Sequence, residues 1–196
     1  PRTPPDAAIV TEPTDMNLCR AHRGFAWFEV TVLGRAAHGS RYDEGIDANM
    51  RMGRFLAELD KLEQELRARD PHPLTAVPSL HAAQLHGGTA PSIYADKCTL
   101  NIERRLNPGE TGEQAKAEIQ ALLDKLAAQD ETFQATLELK FSRSAFEIGE
   151  NAPIVLILEN VMSRHLGQPP AHVGASFWTD AAILADQNHH EPARAQ

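Results

Sequence analysis

Two hydrophobic periods divide the chain. From Phe25 to Leu33, residues Phe25, Trp27, Glu29 and Thr31 share one side and Ala26, Phe28, Val30 and Val32 the other. This period of two predicts a strand with at least one buried face, closed by Gly34. From Asp47 the period lengthens: Met52, Phe55, Leu56, Leu59, Leu62 and Leu66 recur at three and four, which predicts an amphipathic helix to about Ala68. Asp70-Pro71-His72-Pro73 stops it. Leu80–Leu85 and Lys97–Leu106 read as strands, the first ending at Gly87-Gly88 and the second at the turn Asn107-Pro108-Gly109. Thr111 with Gln114 forms a capping box, and the helix it starts carries Ala115, Ile119, Leu122, Leu123 and Leu126. Phe133–Phe141 alternates again as a strand.

The order from residue 25 to residue 141 is therefore β-α-β-β-α-β. It predicts a ferredoxin-like split βαβ sheet with two helices on one face, within the α/β class. Outside that unit, Ala7–Val10 is expected to be a short buried strand leading to Glu12. A third helix starts at Pro153 and ends at Gly167. Its stretch Ile154–Leu158 is apolar all round, so this helix is expected to be more buried than the other two. Val173–Ser176 reads as a loop, and Thr179-Asp180-Ala181 opens a fourth helix.

Composition narrows the class. Of 196 residues, 42% are hydrophobic and 23% charged, enough for a packed core. The net charge of -8 argues against a nucleic-acid surface, and the strands lack a basic-aromatic motif, which excludes an RNA-binding reading of the βαββαβ sheet. No apolar run is long enough to span a membrane. Cys19 and Cys98 are expected to be inert free thiols of a cytoplasmic protein. The start at Pro1 without Met and the polar tail from 186 to 196 predict a fragment.

Three residues carry candidate chemistry. His38, in Ala36-Ala37-His38-Gly39-Ser40, follows a strand and opens a small-residue loop that leaves a ring N–H for a ligand. Arg105, near the end of a strand, offers a planar fork for a carboxylate. Glu12, in Thr11-Glu12-Pro13-Thr14, is a hard oxygen donor on a stretch too broken to be helical. Each alone has an ordinary reading as a loop or strand-edge residue. His81 and His86, five apart in one strand, are expected on opposite faces and so form no ligand pair. His189-His190-Glu191 sits in the polar tail and is read as solvated rather than metal-binding.

Four stretches in order resemble one family: Thr11–Thr14; Gly34–Ser40; Glu103-Arg104-Arg105 with Pro108-Gly109-Glu110; and Phe177–Ala181. This is the zinc-dependent amidohydrolase family of acetylornithine deacetylase, succinyl-diaminopimelate desuccinylase, carboxypeptidase G and aminoacylase. The resemblance implies a lid or dimerisation domain at 23–143, inserted in a catalytic domain of which 1–22 and 144–185 are pieces, with 186–196 an atypical tail. It implies a homodimer and a small N-acyl or N-carbamoyl amino acid substrate. By the same resemblance Glu12 is a zinc ligand and Arg105 binds the substrate carboxylate. His38 reaches across the dimer to stabilise an oxyanion, and Thr179 and Asp180 border the substrate pocket. Ser92 stands where the family often has Asn, at a substrate contact. The family's upstream His-x-Asp, its Glu-Glu and its final His have no counterpart here. Zinc needs about three protein ligands and Glu12 supplies one, so the resemblance also admits a dimerisation module without catalysis.

Overall fold

A computed structural model describes residues 5–189. Seven strands and four helices follow in the order β1 (Leu18–His22), β2 (Gly24–Leu33), α1 (Ala48–Arg67), β3 (Ser79–Gly87), β4 (Lys97–Leu106), α2 (Gly112–Gln129), β5 (Gln134–Arg143), β6 (Phe146–Glu147), α3 (Pro153–Leu166), β7 (His172–Ala175) and α4 (Ala181–His189). They form two sheets. The larger is antiparallel with order β3-β4-β2-β5; the smaller has order β6-β1-β7.

The larger sheet is the βαββαβ unit read from the sequence. Ala26, Phe28, Val30 and Val32 of β2 and Cys98, Leu100 and Ile102 of β4 are all buried. Met52, Phe55, Leu59 and Leu66 of α1 and Ile119 and Leu123 of α2 complete the same core. Alternation puts one face of the sheet under both helices and leaves the other open. Both helix starts are capped as their residues dictate: the Asp47 carboxylate accepts from Asn49 N and Met50 N, and Thr111 and Gln114 close a reciprocal capping box.

The smaller sheet departs from expectation at four places. Ala7–Val10 is not a buried strand: these residues belong to no ladder and Ile9 is exposed. The strand here is β1 instead, which pairs with β6 on one side and β7 on the other. Val173–Ser176 is not a loop, since Val173, Gly174 and Ala175 pair parallel with β1; four residues are too few to show a period. β1 itself escapes sequence reading because a register shift between Cys19 and Ala21 breaks its alternation. The third helix is the least buried of the long helices. Val155 is its one fully buried residue, while Leu156 and Ile157 are 49% and 60% exposed. It packs on β1 along one side only, so the apolar residues around the rest of it face outward.

One further expectation inverts. His81 and His86 lie opposite Glu103 and Thr99, two residues of the same face of β4. A bulge between Ala82 and Gln84 inserts one residue and flips the parity. Their β4 partners are four residues apart, roughly 13 Å, so the two rings still form no ligand pair. Cys19 and Cys98 are both free thiols, and burial pushes the Cys98 thiol up.

Candidate functional site

β1 and β2 are joined by Arg23 alone, and the turn is tight enough to demand glycine: a Cβ at Gly24 would lie 2.4 Å from the Arg143 carbonyl oxygen. This close approach sets the start of the open sheet face against the smaller sheet. On that face Phe25 pairs with Arg105 of β4 on one side and Arg143 of β5 on the other. One step along, Trp27 sits between Glu103 and Phe141. Phe25, Trp27 and Phe141 pack ring to ring at 5.1–5.9 Å. Arg105 lies 5.8 Å from the Phe25 centroid, and its Nε forms an ion pair with Glu103 at 3.1 Å.

Trp178 joins this face to the smaller sheet. Its ring meets Phe25 and His22 edge-on at 6.3 and 6.2 Å, and its indole N–H donates to the Ser144 carbonyl at 3.2 Å. Next to it Thr179 is buried, and its hydroxyl accepts from Ala181 N to cap α4. Asp180 is exposed.

Below these residues lies a cavity of about 640 Å³ with an apolar wall of Val155, Met162 and Phe177, and with Glu12, His22 and Thr179 on its lining. Glu12 is held by a turn. Its carbonyl accepts from Thr14 N at 2.8 Å, and Asp15 and Met16 follow with φ of 52° and 60°. The hydroxyl of Thr14 donates to the Asn17 carbonyl at 2.7 Å, which ties off two strained residues. His22, which sequence reasoning did not single out, is fully buried. Its Nδ1 faces the Arg23 carbonyl at 3.0 Å and its Nε2 has no hydrogen-bond partner. Burial lowers its pKa; the Arg23 and Thr179 carbonyls and the charge of Glu12 oppose that shift. Its only sequence signal is a polar residue at the end of a strand that shows no clean period.

His38 and Ser92 are elsewhere. Both are exposed, past the far end of β2. Gly39 N donates to the Ser92 carbonyl at 2.7 Å, and His38 bridges Ile93. Nδ1 of His38 is 2.9 Å from the Ser40 hydroxyl and accepts from Ser40 N at 3.3 Å. With Nδ1 an acceptor, the neutral ring carries its proton on Nε2, pointing away from the loop. From Phe25 to Leu33 alone the strand spans roughly 26 Å. The structure therefore gathers Glu12, Arg105, Thr179 and Asp180 around one end of β2 and places His38 and Ser92 at the other.

The donor set does not fit a zinc ion. Among the described residues no three His, Cys, Asp or Glu side chains converge, so Glu12 is not part of a complete ligand set. His190 and Glu191 lie outside the described residues.

The described residues form a four-stranded ferredoxin-like sheet and a separate three-stranded sheet. The sequence pattern of the peptidase dimerisation domain matches residues 20–131, more than half of the chain. The chain belongs to that family, whose relatives here are amide-bond hydrolases. It is 28% identical over 159 residues to acetylornithine deacetylase of Buchnera aphidicola, covering 80% of this chain and 42% of the relative. It is 37% identical over 120 residues to the protein YgeY of Escherichia coli, covering 60% of this chain and 29% of that protein. Its fold matches that of aminopeptidase PepT from Bacillus cereus with a TM-score of 0.67 at 17% identity, over 89% of this chain and 43% of PepT. The chain thus spans less than half the length of the relatives it matches.

Proposed function

We propose that the chain is the dimerisation region, with flanking catalytic pieces, of a metal-dependent amidohydrolase acting on an N-acyl or N-carbamoyl amino acid in the cytoplasm. Residues 23–143 form the lid, 1–22 and 144–185 belong to the catalytic part, and 186–196 are a tail. The observation that carries this reading is the separation of the two residue groups by the length of β2 in a chain of the dimerisation family. A second copy of the chain brings its own His38 to the end where Glu12 and Arg105 sit. Arg105 grips the substrate carboxylate and fixes its orientation. Thr179 and Asp180 border the pocket. The free Nε2–H of His38 donates to negative charge that develops on the amide oxygen, a contact worth roughly 3–4 kcal/mol. The Ser92 backbone, bonded to Gly39, holds the His38 loop. In the longer protein Glu12 would supply one ligand of a metal ion, which this chain's described residues do not hold by themselves.

The absence of a converging ligand group among the described residues favours a second reading, a dimerisation module without catalysis. Zinc content and N-acetyl amino acid hydrolysis on one dialysed sample separate the two. Turnover with about two zinc ions per chain supports the enzyme. Mixed His38→Ala and Arg105→Ala variants should then regain activity that each lacks alone, because one site of each mixed dimer has both residues intact while the other lacks both. Failure to regain it refutes the crossing His38. Neither zinc nor turnover supports the module.

A further inference from the structure

The open face of the larger sheet carries more positive charge than the proposed substrate carboxylate requires. Arg105 is already balanced by Glu103 at 3.1 Å. Arg23 donates to the Thr75 carbonyl and is used in the fold. Arg143 is different. Its guanidinium lies 4.2 Å from the Phe141 centroid and 5.9 Å from that of Trp178, and no carboxylate approaches within 4 Å among the described residues. Its one polar contact is a long one, 3.4 Å to the Ser142 carbonyl. Half-buried beside two aromatic rings and with one long hydrogen bond among the described residues, the group retains N–H donors for a planar oxyanion. In a chain of net charge -8, an uncompensated arginine held beside a second arginine is a local inversion of sign.

Register supplies the geometry. Arg105 and Arg143 occupy equivalent places either side of Phe25, two strand spacings apart, which is roughly 9–10 Å between their backbones. Phe25, Trp27 and Phe141 form an apolar shelf along them, and Trp178 links the shelf to the His22 side of the cavity. We infer that Arg143, on this aromatic shelf, is a second carboxylate-binding residue, so that the ligand carries two anionic groups, as an N-acylated acidic amino acid does. The inference rests on the proposed function for the identity of the ligand, and on charge and register for the subsite.

The chain's two tryptophans, Trp27 and Trp178, both belong to the shelf, so intrinsic fluorescence reads the subsite without any turnover. The chain is titrated with N-acetyl-L-glutamate, a diacid, and with its isostere N-acetyl-L-glutamine, which keeps the α-carboxylate but has an uncharged side chain. The expected result is a saturable change with the diacid at about tenfold lower concentration than with the isostere. Arg143→Gln should erase that preference by weakening the diacid alone, and Arg143→Lys should recover part of it, since it keeps the charge and loses the fork. Far-UV circular dichroism confirms that each variant is folded. Equal response to the two ligands, no response to either, or equal weakening of both by Arg143→Gln overturns the subsite. Hydrolysis of the same compounds is scored separately: a fluorescence preference without hydrolysis leaves the subsite standing and favours the dimerisation module over an enzyme for this chain.

Discussion

Two adjacent arginines on β4 should separate cleanly into a stabilising role and a ligand role. Alternation sends Arg104 to the covered face and Arg105 to the open one. Arg104 is 1% exposed; it donates to Glu110 at 2.8 Å and to the Arg105 carbonyl at 2.5 Å, with Glu118 at 3.6 Å. Arg104→Ala leaves both glutamates to Arg69, which contacts them at 3.3 and 2.6 Å. Breaking a buried pair by removing one partner costs about 3–5 kcal/mol. Here Arg69 remains, and the two carboxylates are 23% and 28% exposed, so a cost of about 2–3 kcal/mol is expected. For a chain of this size that lowers the melting temperature by roughly 4–12 °C. Arg105→Ala removes one ion pair to Glu103 on the open face and should cost at most about 1 kcal/mol. Thermal unfolding followed by circular dichroism checks both. If Arg104→Ala melts within about a degree of Arg105→Ala, the glutamates are not held by Arg104 and the assignment of faces to energies is wrong.

Two other outcomes follow from the same structure. Asp130 is held down to about 2, chiefly by the Thr132 hydroxyl at 2.5 Å and then by Arg54 at 2.8 Å, so its contribution is complete above the ordinary Asp range and is lost as the pH falls toward 2. Unfolding free energies from urea titrations at pH 6 and pH 2.5 should therefore differ by about 1 kcal/mol more in the wild type than in Asp130→Asn, after allowance for solvent screening, and equal differences would remove Asp130 from the acid response. On α3, Leu156, Ile157 and Val161 are 49%, 60% and 43% exposed, so the chain should bind an apolar dye and self-associate, and Leu156→Lys with Ile157→Lys should suppress both; a monomer with little dye binding refutes it.

What the sequence made legible was whatever a single chain segment encodes by itself. The stripe Met52, Phe55, Leu59, Leu62, Leu66 and the capping box at Thr111 and Gln114 contain their own periods and caps, and the helices they predict are found within a residue or two. The strand Lys97–Leu106 coincides with its prediction. What failed depends on partners. β7 is a strand because β1 lies beside it, and nothing in Val173-Gly174-Ala175 carries that information. The bulge near Ala82 reverses the facing of His86 through one extra residue opposite β4, a property of the pair of strands rather than of either. The burial expected of α3 came from its own apolarity, whereas its exposure reflects how little of it β1 covers.

The site divides along the same line. Glu12, His38 and Arg105 were legible as candidates because their residue types and short contexts restrict what they can do. Their placement was not, because it depends on the length of β2 and on the joint at Arg23 and Gly24. His22 and Arg143 were invisible for a related reason. His22 becomes notable only once burial strips Nε2 of a partner, and Arg143 only once cross-strand pairing sets it against Phe25 with no acid in reach. An arginine in a strand is ordinary in sequence; its missing counter-ion is a three-dimensional fact. Arg105 spends part of its charge on Glu103, whereas Arg143 meets no carboxylate within 4 Å among the described residues. A ligand with a single carboxylate would leave that second half-buried guanidinium uncompensated, and it is this asymmetry that makes a diacid the stronger match for the face.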